Sequence, residues 1–293
     1  MTIIAILLAF ALCHFIRELG RIRKNQWLTA WVGFANDAFG KLPGWTDVLG
    51  FLTILAVPLI ALLLIDQVLQ GALGITGSFL LALIVLIYSF GPRDLDTDVA
   101  QVLEAPAGQQ RSEALAELLD GPVPDDDTAC VSAAVEAVFQ QGLRRWFGVI
   151  FWFAVLGIVG ALLYRMVDWL DSEEPKVSPE QRGRFVRLQQ IMDWPAAQLM
   201  TLSLAIATDF DSVYQAWKRY HDEQGHGLFD GGNGFLLASA RSVVLTGHAT
   251  RDGYADQLQG PMLGLQQAMD LVWRMLGVWL TVLALLLLVG VLA

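Results

Sequence analysis

Two apolar stretches, residues 48–65 and 75–90, stand almost end to end, separated only by a short connection that contains Gly71. Crossing the hydrocarbon core of a bilayer takes about 20 mostly apolar residues, because a helix rises about 1.5 Å per residue through a core about 30 Å thick. Both stretches meet that need, with Asp66 just beyond the first. The pattern predicts an integral membrane protein, since backbone in lipid must satisfy its own hydrogen bonds within a helix or a closed barrel.

The connection after Asp66 holds no Lys or Arg, whereas Arg17, Arg21, Arg23, Lys24 and Lys41 precede the first stretch and Arg93 follows the second. The positive-inside rule therefore puts the turn outside and both flanks in the cytoplasm. Only 16% of the residues are charged and 55% are hydrophobic, against about 25% charged in an ordinary soluble domain. A net charge of −10 argues against a nucleic-acid partner, which needs a basic stripe to displace counterions. Cys13 and Cys130 are too few for a thiolate metal cage or a disulfide framework.

Further apolar runs are expected as membrane helices near residues 2–16, 146–164 and 271–292. Residues 2–16 have basic residues after them rather than before, the reverse of a signal peptide, and read as an uncleaved anchor with its N-terminus outside. Trp27, Trp31, Phe34 and Phe39 suit an interfacial helix. The stretch 146–164 has basic residues at both ends, Arg144-Arg145 and Arg165, and Gly157 and Gly160 at its centre. Its length fits a simple span, whereas a re-entrant hairpin accounts better for the charges. Residues 194–207 are apolar but short, fitting a shallow or broken helix. The expected class is thus all-α and polytopic, a single domain over residues 1–293 with about four to six membrane helices, cytoplasmic amphipathic helices and no evident internal repeat.

Between the spans, residues 91–142 are the most polar part of the chain and predict a helical hairpin. Leu115, Leu118 and Leu119 give one apolar stripe, Val131, Val135, Val138 and Phe139 a second, and Asp127 or Thr128 would cap the second helix. Asp94, Asp96 and Asp98 alternate at its start; they could hold Mg²⁺ with help from substrate phosphate, and the residues alone favour an acidic helix start that complements the helix dipole. His221, Asp222, Glu223, His226 and Asp230 lie close together without the spacing of a helical zinc motif, and the glycines among them read as a loop. Gly231-Gly232-Asn233-Gly234 lacks the GK[ST] ending of a phosphate loop. No metal or other cofactor is assigned, and no nucleophile elbow or Walker motif is present.

The blocks Gly91-Pro92-Arg93-Asp94-Leu95, Arg144-Arg145-Trp146-Phe147, Phe151-Trp152-Phe153, Gly160-Ala161-Leu162-Leu163-Tyr164-Arg165 and Met192-Asp193-Trp194-Pro195-Ala196 resemble the AmpE family. That resemblance implies a bacterial inner-membrane protein tied to peptidoglycan recycling and to induction of a β-lactamase. Its partners would be the lipid bilayer, with a muropeptide-like ligand or another membrane protein. AmpE proteins are distantly similar to the CobD/CbiB membrane enzymes, which join an aminopropanol unit to a corrin carboxylate by amide formation with ATP and Mg²⁺. The Glu-Asn-Asp-like cluster expected of those enzymes is here Glu136-Ala137-Val138-Phe139-Gln140-Gln141-Gly142, which removes polar groups that would hold a ligand or move protons. The expectation at this point is a signalling protein with no turnover of its own, and the amide synthase is the alternative. Ligand-binding candidates are Arg93, Asp94, Asp96, Glu136, Arg144, Arg145, Tyr164, Arg165, Asp193 and Trp194, because arginines at a membrane face can grip a carboxylate or phosphate bidentately.

Overall fold

The computed structural model describes residues 2–15, 25–91, 94–172, 176–224, 232–250 and 261–289, and every regular element among them is helical. The helices are α1 (Thr2–Phe15), α2 (Gln26–Phe39), α3 (Val48–Leu73), α4 (Ile75–Ser89), α5 (Leu95–Glu104), α6 (Gln109–Leu119), α7 (Asp127–Gly142), α8 (Gly148–Asp171), α9 (Pro179–Ala207), α10 (Phe210–Gln224), α11 (Gly234–Thr250) and α12 (Pro261–Leu288). A π-helical turn, Leu143–Phe147, joins α7 to α8. Among the described residues three helical stretches are long and apolar enough to cross a membrane, Val48–Leu73, Thr128–Asp171 and Met262–Leu286, with shorter apolar helices at Ile3–Cys13, Ile75–Ser89 and Gly234–Val244. This is the all-helical polytopic membrane architecture expected from the sequence.

The chain divides into two compact units. The first comprises Met1–Pro92, Gly148–Met192 and Leu286–Ala293; the second comprises Arg93–Phe147 and Asp193–Leu285.

In the first unit α8 is not a straight span. Gly157 has φ 64° and ψ −147° inside the helix, close to the region that only glycine populates. A Cβ on Gly160 would run into the Trp152 carbonyl, and one on Gly148 into the Tyr164 ring. Residues 8 and 16 apart in a continuous helix are separated by about 12 and 24 Å along the axis, so the chain reverses at Gly157 and the arms 148–156 and 158–171 pack on each other. The re-entrant form is the one adopted.

The same device closes α3 on α4. Gly74 has φ 61° and ψ −145°, and a Cβ on Gly77 would strike the Leu69 carbonyl. Leu73-Gly74-Ile75-Thr76-Gly77 and Leu156-Gly157-Ile158-Val159-Gly160 therefore share a motif, a backbone turn and a close approach three residues later. The structure thus contains a short internal repeat, contrary to the expectation of none.

Other contacts follow from local chemistry. Pro58 lies inside α3 and has no N–H to give the carbonyl of Ile54 four residues earlier. The Trp31 indole on α2 donates to that oxygen at 3.1 Å. Trp45 is buried, gives its indole proton to Asn36 Oδ1 at 2.9 Å and accepts at its carbonyl from Gln181 Nε2 at 2.5 Å. Phe51 packs on Phe185 with ring centroids 5.0 Å apart, so the start of α9 is tied to α3. Residues 194–207 are the second half of this continuous 29-residue helix, with Pro195 inside it, rather than a separate short segment.

The second unit contains the polar helices. α5, α6 and α7 pack together, and α10 pairs with α11, which also packs on α7. The N-cap of α7 is Asp126, one residue before the expected position, and its carboxylate accepts from Ala129 N at 2.8 Å.

Candidate functional site

The densest constellation of charged and amide side chains in the second unit runs along α7 and the π turn. Glu136, Gln140 and Arg144 recur at four-residue spacing and so share one helical face, as do Gln141 and Arg145. Each makes a partner on another element or within the row. Glu136 Oε1 meets Arg241 on α11 at 3.3 Å. Gln140 Oε1 accepts from Asn233 Nδ2 at 2.5 Å. Arg144 Nε lies 3.9 Å from Asp193 Oδ2, with the arginine side chain 31% exposed and the aspartate side chain 5%. Arg145 donates to Gln141 Oε1 at 2.9 Å and to Asp98 Oδ2 at 2.7 Å.

Arg145 and Asp98 are both buried, and desolvating two charges is costly unless their geometry and further hydrogen bonds repay it. The short contact and the bond to Gln141 supply that compensation. A π turn widens the helix by one residue and re-aims the side chains it carries; such turns are frequent at functional sites. Here the turn carries Arg144 toward Asp193 and Arg145 toward Asp98.

The acidic start of α5 is therefore not simply a solvated helix end. Asp98 is buried against Arg145, and Asp96 Oδ1 accepts from the Trp273 indole of α12 at 2.9 Å. Trp273 in turn packs on Trp146 with centroids 5.3 Å apart. Asp94 occupies the N-cap position of α5. Trp194 is half-buried next to the buried Asp193.

Of the sequence candidates, Asp94, Asp96, Glu136, Arg144, Arg145, Asp193 and Trp194 all fall in this unit. Tyr164 and Arg165 belong to the other one. Tyr164 is buried at the base of the α8 hairpin against Gly148, and Arg165 pairs with Asp168 at 2.7 Å. Tyr164 thus bridges the two arms, whereas the Arg165 pair lies within one arm. Arg93 lies outside the described residues, as do His226 and Asp230 of the polar loop. Sequence reasoning weighs Asp98, Gln140, Gln141 and Asn233 only as parts of an acidic helix start, a replaced polar cluster and a glycine turn, and misses Arg241 and Trp273. The available signal for the row was the repeated four-residue spacing of amides and arginines from Glu136 to Arg145.

Comparison with known proteins decides the family. The family model described as CobD/Cbib protein matches residues 5–289.

The chain belongs to the CobD/CbiB family.

It is 29% identical over 179 residues to the cobalamin biosynthesis protein CobD of Stutzerimonas stutzeri, a match covering 54% of this chain and 55% of that protein. A second CobD, from Chromobacterium violaceum, is 40% identical over 47 residues, 16% of this chain and 15% of its own length. The match thus spans about half or less of these relatives. No solved structure matches. Membership in this membrane family, together with the three long apolar stretches, makes the chain a multi-pass protein of the bacterial inner membrane. It also corrects the expectation of a protein without turnover, because a family whose relatives are named for cobalamin biosynthesis points to an enzyme.

Proposed function

We propose that this CobD/CbiB member is a membrane-bound biosynthetic enzyme that forms an amide between a small primary amine and a corrin carboxylate. The observation that carries this reading is the family match over nearly the whole chain; the polar row along α7 and the π turn supplies groups suited to the chemistry. Arg144, partly exposed beside buried Asp193, offers a guanidinium to the substrate carboxylate. The buried Arg145–Asp98 pair fixes the π turn that presents it. Amide formation needs the carboxylate activated, which a nucleoside triphosphate supplies. The amine then attacks the activated carbonyl, the C–N bond forms as the phosphate leaves, and the amine proton passes to a base. Glu136 is the carboxylate of the row with the greater exposure and is assigned that role. Asp94, Asp96 and Trp194 line the same unit as secondary binding candidates.

Magnesium fits less well. Among the described residues no three His, Cys, Asp or Glu side chains group as a metal site, Asp98 is paired with Arg145, and Asp96 accepts from Trp273. No step is therefore routed through a metal.

A second reading rests on the interior of α7. Where the amide synthases carry polar groups, this chain has Ala137, Val138 and Phe139, the last two fully buried. That filling favours an altered substrate, and the AmpE-like blocks point to an acidic muropeptide-like ligand at Arg144 within the response to cell-wall stress.

The test is incubation of the purified protein in lipid nanodiscs with ATP, aminopropanol and a corrin acid, with products followed by mass spectrometry. Amide product that disappears in Arg144→Ala and Glu136→Gln supports the synthase. No product from a folded protein, with saturable binding of an anhydro-muropeptide instead, supports the second reading.

A further inference from the structure

Within the first unit a cleft of about 420 Å³ opens where the reversal of α8 meets α3 and α4. Its wall is mostly apolar, including Leu63, Ile75, Phe79, Phe153 and Leu156, yet Asp66, Gln70 and Ser78 also line it. None of the lining residues is basic. Asp66 Oδ1 and Ser78 Oγ are buried without a hydrogen-bond partner among the described residues.

A buried acceptor left unmatched costs free energy, and a carboxylate in a membrane helix costs more than most, so such groups mark ligand or ion sites. The lining specifies the ligand. A carboxylate with no cation nearby calls for a positive charge, and the hydroxyl accepts a further hydrogen bond. Phe79 and Phe153 are in the wall, where an aromatic face attracts an ammonium, and the apolar remainder suits a short alkyl body. The volume is within the range of small-molecule sites.

We infer that this cleft binds a primary ammonium group on a short carbon chain, held by Asp66 and Ser78 beside the Gly157 reversal. The site lies in a different unit from the Arg144 row; its free-amine occupant rests on the amide synthase reading, whose substrate is a small primary amine, and the binding test is read without turnover, so the two can fail separately. The ammonium can come from a free amine or from the headgroup of phosphatidylethanolamine, and the chemistry recognised is the same.

The test uses the full chain in nanodiscs of phosphatidylcholine and phosphatidylglycerol, titrated with ethanolamine and, as the neutral control, propanol. Native mass spectrometry of protein extracted from membranes containing phosphatidylethanolamine forms the second arm. Saturable ethanolamine binding, weakened at least about tenfold by Asp66→Asn and less by Ser78→Ala, with no propanol binding, identifies a free-amine site. Retention of phosphatidylethanolamine by the wild type and its loss in Asp66→Asn identifies the headgroup as the source. If folded wild type shows neither, or if Asp66→Asn leaves both unchanged, the inference is overturned.

Discussion

The α8 hairpin and the α7 π-turn row solve the same problem, bringing helices close, by opposite means. At Gly157 and Gly160 nothing but the absence of a side chain lets the arms meet. At Arg144 and Arg145 the elements are joined by charge pairs with Asp193 and Asp98. A reversal built in an apolar run has no polar groups to spare, so it relies on glycine and on van der Waals packing. A charge pair needs desolvation offset by geometry, and where one partner keeps some exposure, as Arg144 does, it can also meet a ligand. One arrangement is scaffold and the other has the makings of chemistry.

The comparison breaks most severely at the glycines. Gly160→Val drives a side chain into the Trp152 backbone, which cannot yield, and is expected to prevent accumulation of the protein in the membrane. Gly77→Val at the equivalent place in the α3–α4 turn should behave alike, as read by membrane-fraction immunoblots; wild-type levels for either would refute the shared hairpin geometry. Next in size is Arg145→Leu, which strands the Asp98 carboxylate and should cost about 3–5 kcal/mol of stability. The double variant Arg145→Leu/Asp98→Leu should recover much of this loss in thermal unfolding, a recovery not open to the glycine variants.

Trp31→Phe is a smaller probe of the scaffold. It removes the donor that serves the Ile54 carbonyl opposite Pro58 and should cost about 1–3 kcal/mol; the same change should be nearly silent in a Pro58→Ala background, where the helix regains its own donor. The smallest effect concerns Asp209 at the start of α10. The Ser212 hydroxyl, at 2.6 Å, and its backbone N–H hold this carboxyl below its usual pKa. A depressed folded pKa means that its stabilisation is present above the unfolded value and lost as pH falls through the folded one. Amide protection of Ser212 by NMR should therefore hold at neutral pH and fall only as pH drops below the ordinary carboxylate value of about 4 in wild type, and not in Asp209→Asn.

Much of the scaffold was legible in the sequence because a short glycine-containing connection separates two apolar runs, so the α3–α4 reversal could be read directly, although the second run, Ile75–Ser89, is shorter than a full span. The α8 reversal left two options, since residues 146–164 have the length of a straight span and no polar residue marks the bend. The five-residue repeat was too short to stand out until both glycines showed the same backbone angles. In α9, residues 194–207 looked like a shallow or broken helix because the apolar run is short, but the structure carries one helix through it. The arginines of the polar row were conspicuous by charge. Their partners Asp98 and Asp193 are about 50 residues away in sequence, and long-range pairing leaves no trace in local spacing. Tyr164 and Arg165 were grouped with the site because their block is distinctive, whereas packing places them at the base of a hairpin.

The most direct test of the biosynthetic assignment is corrinoid production in a strain deleted for this gene, complemented with wild type or with Arg144→Ala, with β-lactamase induction measured in parallel. The account predicts loss of corrinoids on deletion, restoration by wild type and no restoration by an Arg144→Ala protein present at normal membrane levels. Normal corrinoids in the deletion strain, with induction altered, would contradict it.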